Sequence, residues 1–125
     1  MKVLLDTHTL IWAVLAPKNL SDQARAAIGA DENVVFVSMA SLWELRIKEG
    51  VKKINLPADF YNALPDKGFE LLSVSLPHIC ELGRLPHYHR DPFDRMLVAQ
   101  ARSEQLILVT RDEEIKKYPI SCLMA

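Results

Sequence analysis

The chain is short of glycine, short of cysteine and without a surplus of charge of either sign, and each shortage closes off a class of function. Four glycines in 125 residues leave no Walker loop, no GxGxxG turn and no GxSxG elbow. A phosphate-cradling nucleotide fold and serine-nucleophile chemistry are therefore disfavoured. The two cysteines, Cys80 and Cys122, lie far apart with no CxxC spacing and no histidine pair nearby, which argues against a zinc site or a disulfide framework. They read instead as reduced, buried, small hydrophobes. Fifteen basic against sixteen acidic residues leave a formal net charge of -1, so any nucleic-acid partner has to be held by a local basic patch. Nowhere do about 18 apolar residues run together as a membrane-spanning helix requires. The apolar stretch after Lys2 is also too short for a secretory signal. These absences lead us to expect a soluble, cytoplasmic protein with no membrane partner.

Half of the residues are hydrophobic and 25% are charged, the balance of a folded globule and not of a disordered chain. The length suits a single domain over residues 1–125. Val3-Leu4-Leu5 predicts a buried strand that stops abruptly at Asp6. Leu10, Ile11, Val14 and Leu15 predict a helix over 9–16, ended by Pro17. Ser21 starts a second helical pattern through Ala24, Ala27 and Ile28 to Gly29. The continuous run Val34-Val35-Phe36-Val37 predicts a strand covered on both faces. Ser38 can cap a helix over 39–49 in which Ala40, Trp43 and Ile47 share a face.

Pro57 then fits a helix start with Ala58, Tyr61 and Leu64, and 69–74 and 77–85 read as a third strand and a further helix. Pro92 opens the longest helix, to about Gln105, and 106–109 is a fourth strand. A short helical stretch around Ile115 is broken by Pro119, and 120–123 reads as a final edge strand. Strands and helices in alternation, with continuously apolar strands, predict a three-layer α/β/α sandwich on a mainly parallel sheet of four to five strands.

Acids recur where such a sheet collects ligands. Asp6 follows the first strand, Asp112 follows the fourth, Glu44 lies about one and a half turns into the helix after the second, and Asp94 sits in the first turn of the long helix. Right-handed crossovers place all strand C-termini on one edge, so these carboxylates can converge there. Clustered carboxylates repel one another unless a cation neutralises them, and hard oxygen donors suit Mg²⁺ or Mn²⁺. Each acid also has a structural reading. Asp6, Asp91 and Asp112 are good helix caps. Glu44 completes a Ser41-to-Glu44 capping box or pairs with Lys48 at i,i+4. The four histidines, His8, His78, His87 and His89, lack metal-ligand spacing and read as surface or supporting groups.

The chain resembles a PIN-domain ribonuclease, specifically a VapC-type toxin of a toxin-antitoxin pair. The resemblance is carried by Leu4-Leu5-Asp6-Thr7-His8 with Trp12, by Ser38 with Trp43-Glu44-Leu45, by His89-Arg90-Asp91-Pro92-Phe93-Asp94-Arg95 with Ala99-Gln100-Ala101, and by Leu108-Val109-Thr110-Arg111-Asp112. It implies an acidic catalytic and metal site at Asp6, Glu44, Asp94 and Asp112, with Thr7, Thr110 and Asp91 as positioning groups. It further implies Mg²⁺ or Mn²⁺ dependence, cleavage of RNA, a homodimer, and silencing by a small antitoxin.

An acidic pocket repels RNA unless its rim is positive. Arg84, His87, His89, Arg90 and Arg95 form one basic stretch and Arg46, Lys48, Lys52 and Lys53 another. Arg90, Arg95 and Arg111 are the candidates for backbone contacts. Three rivals stay in view: a receiver-like signalling domain, a catalytically silent PIN-like binding module, and a metal-dependent phosphoesterase acting on other phosphates. The first wants two adjacent acids after strand one, where this chain has Thr7 beside Asp6.

Overall fold

Strands β1 (Lys2–Leu5), β2 (Val34–Ser38), β3 (Phe69–Leu72), β4 (Ile107–Thr110) and β5 (Cys122–Met124) form one wholly parallel sheet in a computed structural model that describes residues 1–125. Their order across the sheet is β3-β2-β1-β4-β5, so the expected sandwich is realised with β1 at its centre. Six helices connect and cover the strands: α1 (Thr7–Leu15), α2 (Asp22–Gly29), α3 (Met39–Gly50), α4 (Phe60–Ala63), α5 (Leu76–Leu82) and α6 (Pro92–Glu104). None of them is long and apolar enough to cross a membrane.

Alternation along the central strand divides the core in two. Val3 and Leu5 join Val35, Val37 and Val109 on one face, beneath Leu10 of α1, Ala24 of α2, Leu42 and Leu45 of α3 and Phe60 of α4. Leu4 and Leu108 point to the other face, where Leu97, Val98 and Ala101 of α6 cover them together with Leu85. Every residue of β1 after Lys2 is therefore buried whichever way it points, which is why the strand reads as an unbroken apolar run. Each such leucine contributes about 1.5–3 kcal/mol on leaving water.

The connection order creates the crevice. The chain builds outward from β1 through β2 to β3, then returns to the far side of β1 to lay down β4 and β5. The crossovers from β1 and β4 thus leave in opposite directions, and a gap opens beyond their C-terminal ends. Leu5 pairs with both Val37 and Val109, so the residues that follow β1 emerge with the end of β2 on one side and the end of β4 on the other.

Several expectations are corrected. The buried face of α3 is Ala40, Ser41, Leu42, Glu44 and Leu45. Trp43 and Ile47 face outward at 65% and 45% exposure. Two polar residues, Ser41 and Glu44, belong to the inward face, so hydrophobicity alone assigns the wrong side. Ser38 caps α3 by accepting from the Ala40 N–H, which puts Ser41 and Glu44 inside the helix and rules out a capping box between them. Cys80 is exposed and Cys122 half-buried, not the buried pair expected. His78 is a core residue, with Nε2 2.8 Å from Glu104 Oε2 and Nδ1 accepting from the Ser75 N–H. The helix expected from Pro57 begins at Phe60, and the last strand is shifted to Cys122–Met124.

Candidate active site

Asp6 leaves the end of β1 as the N-cap of α1, with Oδ1 accepting from the Thr9 N–H at 2.8 Å. Its own N–H donates to Val109 O. Its second oxygen accepts a 2.6 Å hydrogen bond from Thr110 Oγ1 at the end of β4. Both oxygens of this 6% exposed side chain are thereby fixed by groups from the two neighbouring crossovers. The cap does not remove Asp6 from the cleft lining, since one oxygen serves the helix and the other is held by Thr110.

Two other acids also cap with one oxygen but leave the second free. Asp112 Oδ1 accepts from the N–H groups of Glu114 and Ile115, while its own N–H donates to Thr110 Oγ1. Asp91 caps α6 through Oδ1, which accepts from Phe93 and Asp94 N–H. In both residues Oδ2 is left without a protein partner. Asp94, at the third position of α6, has its carboxyl turned toward the crevice.

Glu44 arrives from α3. Thr7 Oγ1 lies 2.7 Å from Glu44 Oε1 and 3.1 Å from Ser41 Oγ, so one hydroxyl ties the start of α1 to the inward face of α3. Lys48 Nζ pairs with Glu44 Oε2 at 2.9 Å, the i,i+4 partnership read from the spacing. The sequence offered Ser41 only as a helix cap, and its place beside Thr7 was missed. The signal was available: it lies three residues before Glu44, on the same helical face.

These groups line one open cleft of about 700 Å³, which contains Asp6, Glu44, Asp91, Asp94 and Asp112 along with Thr7, Lys48, Lys53 and Arg111. Five carboxylates face three lysine or arginine cations, and the imbalance is felt most at Asp94. Its carboxyl is raised from the ordinary 3.8 to about 7, first by burial and then by the negative charges of Asp91, Glu44, Asp6 and Asp112. A donor set of hard oxygens with uncompensated charge fits a divalent cation such as Mg²⁺ or Mn²⁺. No three of the groups converge on one ligating point.

The three arginines differ in their circumstances. Arg90 stands exposed in the loop before α6 and lines a basic pocket with His87, Tyr88, His89 and Arg95. Arg95 is engaged internally, donating to Pro86 O at 2.7 Å and to the Tyr118 hydroxyl at 3.0 Å. Arg111 lies on the rim of the acidic cleft, stacked 4.5 Å over the Trp12 ring. It donates to Asn19 O and Ala125 O through Nε and Nη2, leaving Nη1 unpaired.

A family profile described as PIN domain matches residues 3–120. No curated protein sequence matches the chain. Among solved structures, VapBC2 from Rickettsia felis, bound to a DNA fragment from its promoter, has a chain similar at a TM-score of 0.75 and 21% identity, covering 98% of both chains. DNA-bound VapBC from Salmonella typhimurium is similar at 0.68 and 22% identity, over 98% of this chain and 97% of that one. FitAcB from Neisseria gonorrhoeae is similar at 0.64 and 21% identity, over 99% and 97%.

Proposed function

The chain belongs to the PIN-domain family, and from that premise we propose that it is a divalent-metal-dependent endoribonuclease, the VapC-type toxin of a toxin-antitoxin pair. The observation that carries the reading is the set of five carboxylates gathered in one cleft, where burial and then their mutual repulsion raise Asp94 to about 7. Such a cluster is a standing electrostatic cost unless a cation offsets it, and nucleases of phosphodiesters are the enzymes that need cations there.

Asp6 and Asp94 would be the main metal ligands, with Glu44 and Asp112 completing the set directly or through waters. When bound, the ion supplies Lewis-acid polarisation of the scissile phosphate and a more acidic water. The chain's own residues do the rest. Thr110 and the Thr9 N–H keep Asp6 in a single orientation. Thr7 does the same for Glu44, and Lys48 limits the excess negative charge beside it. Asp94, raised to about 7 by burial and by its acidic neighbours, is a group whose charge a bound cation would offset.

RNA is the substrate of this reading. Its backbone is met at the rim by Arg90, Arg111 and Lys53, while Arg95 secures the loop that presents Arg90. A cognate antitoxin is the protein partner, a proposal supported by the VapBC likenesses. A second copy of the chain completes a homodimer.

The test is incubation of purified, antitoxin-free protein with total RNA, with and without Mg²⁺ or Mn²⁺, beside Asp6→Asn. Metal-dependent cutting that vanishes in the variant is the expected result. RNA left intact under every condition would favour a silent binding module.

A further inference from the structure

His89, in the loop between α5 and α6, lines the basic pocket with His87, Tyr88, Arg90 and Arg95. Its Nε2 stands 3.7 Å from Oδ2 of Asp94, a residue of the acidic cleft. That is longer than a made hydrogen bond, and Nε2 is a buried nitrogen with no partner. The opposite nitrogen is engaged. Nδ1 lies 3.2 Å from the Tyr118 hydroxyl, and that hydroxyl accepts from Arg95 Nη1 at 3.0 Å.

These contacts determine where the imidazole hydrogen sits. A guanidinium only donates, so the Tyr118 oxygen is the acceptor toward Arg95. Tyr118 is 2% exposed, and its single hydrogen has His89 Nδ1 as the remaining partner. Nδ1 therefore accepts, and the neutral ring carries its hydrogen on Nε2, the edge turned to Asp94. The reverse tautomer sets Nδ1–H against the tyrosine and strands the phenolic hydrogen in a buried place, which costs the desolvation of that group. Arg95 is itself anchored to Pro86 O at 2.7 Å, so the relay is tied to the start of the loop it organises.

We propose that Arg95, Tyr118 and His89 form a positioning relay that holds one fixed Nε2–H donor beside Asp94, ready to close a hydrogen bond that orients the carboxylate when a cation binds. The proposal rests on the metal-dependent reading of the cleft. His89 acts through Asp94 and is a positioning residue. Groups that orient ligating carboxylates from outside the ligand set have effects on metal affinity of about 10–100-fold.

The test joins nitrogen NMR of the metal-free protein to Mn²⁺ titration in the absence of RNA, for the wild type, His89→Phe, His89→Gln and Tyr118→Phe. In the wild type the hydrogen is expected on Nε2. His89→Phe retains a ring to pack on Tyr118 but has no donor, and should bind Mn²⁺ about 10–100-fold more weakly. His89→Gln restores a donor and most of the affinity. Tyr118→Phe mixes the two tautomers and gives an intermediate loss. A wild-type hydrogen on Nδ1, unchanged affinity in His89→Phe, or no recovery in His89→Gln overturns the relay and leaves the nuclease reading standing. A wild type that takes up no Mn²⁺ overturns both.

Discussion

Thr110 and Asp6 are 104 positions apart in the chain and 2.6 Å apart in space, hydroxyl to carboxylate, across the seam between β4 and β1. The same hydroxyl oxygen accepts from the Asp112 N–H, so one threonine orders two of the acids of the cleft. The site is thus built around a fully buried polar residue that is not itself an acid.

Replacing it by valine keeps the shape and removes both bonds. Thr110→Val is expected to lower stability by about 1.5–3 kcal/mol, the worth of a hydrogen bond to a charged group, and to weaken Mn²⁺ binding by about 10–100-fold. Urea unfolding and metal titration measure the two separately. Wild-type metal affinity in a folded Thr110→Val protein would contradict the role given to this residue.

Asp94 gives the metal-free protein a distinctive pH dependence. Its folded titration near 7 lies above the ordinary 3.8, so between those values the folded chain keeps a proton that the unfolded chain releases. Stability then falls as pH rises through this window. Asp94→Asn should flatten that part of the profile and melt higher than the wild type at pH 8 in chelator. Added Mn²⁺ should stabilise the wild type more at pH 8 than at pH 5. Thermal unfolding across pH checks all three, and a wild-type profile parallel to that of Asp94→Asn would defeat the argument.

Glu44 is one of the charges that raise Asp94, and it is held by Thr7 and Lys48. Glu44→Gln keeps the shape and can still accept from Thr7, but it removes the charge. The Asp94 titration should move downward in this variant, followed by carboxyl carbon NMR, while RNA cutting is lost. An unmoved midpoint would mean that the two groups do not share a field.

Arg90 and Arg111 should each contribute about one unit to the slope of log affinity against log salt for an uncleaved RNA. Arg90→Ala and Arg111→Ala are expected to reduce it without altering sequence preference. Arg95→Ala should instead lower the melting temperature, because its guanidinium bonds Pro86 and Tyr118. A full salt slope in Arg90→Ala removes that residue from the rim.

The strands were legible because they are buried on both faces, so apolar runs such as Val3 to Leu5 need no particular phase to be recognised. The acids were legible because parallel topology brings strand ends to one edge, and Asp6, Glu44, Asp94 and Asp112 all line the cleft that results. The orientation of α3 was not, since its inward face carries Ser41 and Glu44 while Trp43 lies outside, its ring edge-on to Phe93 at 5.3 Å between centres. Nor could the partnership of His89 with Tyr118 be read, because the two are 29 positions apart and meet only after the loop before α6 folds back over the end of the chain. A buried polar contact between distant residues has no periodic signature.

The central place of β1 has a consequence for the timing of assembly. Its partner on one side, β2, follows within the first third of the chain, but its partner on the other, β4, begins at Ile107. A chain leaving the ribosome therefore carries Asp6 and Glu44 long before Thr110 and Asp112 have been synthesised, and closing so long a loop is a slow step. The cleft exists only once Asp112 has emerged, so a nascent molecule that has reached no further than β3 holds no finished site.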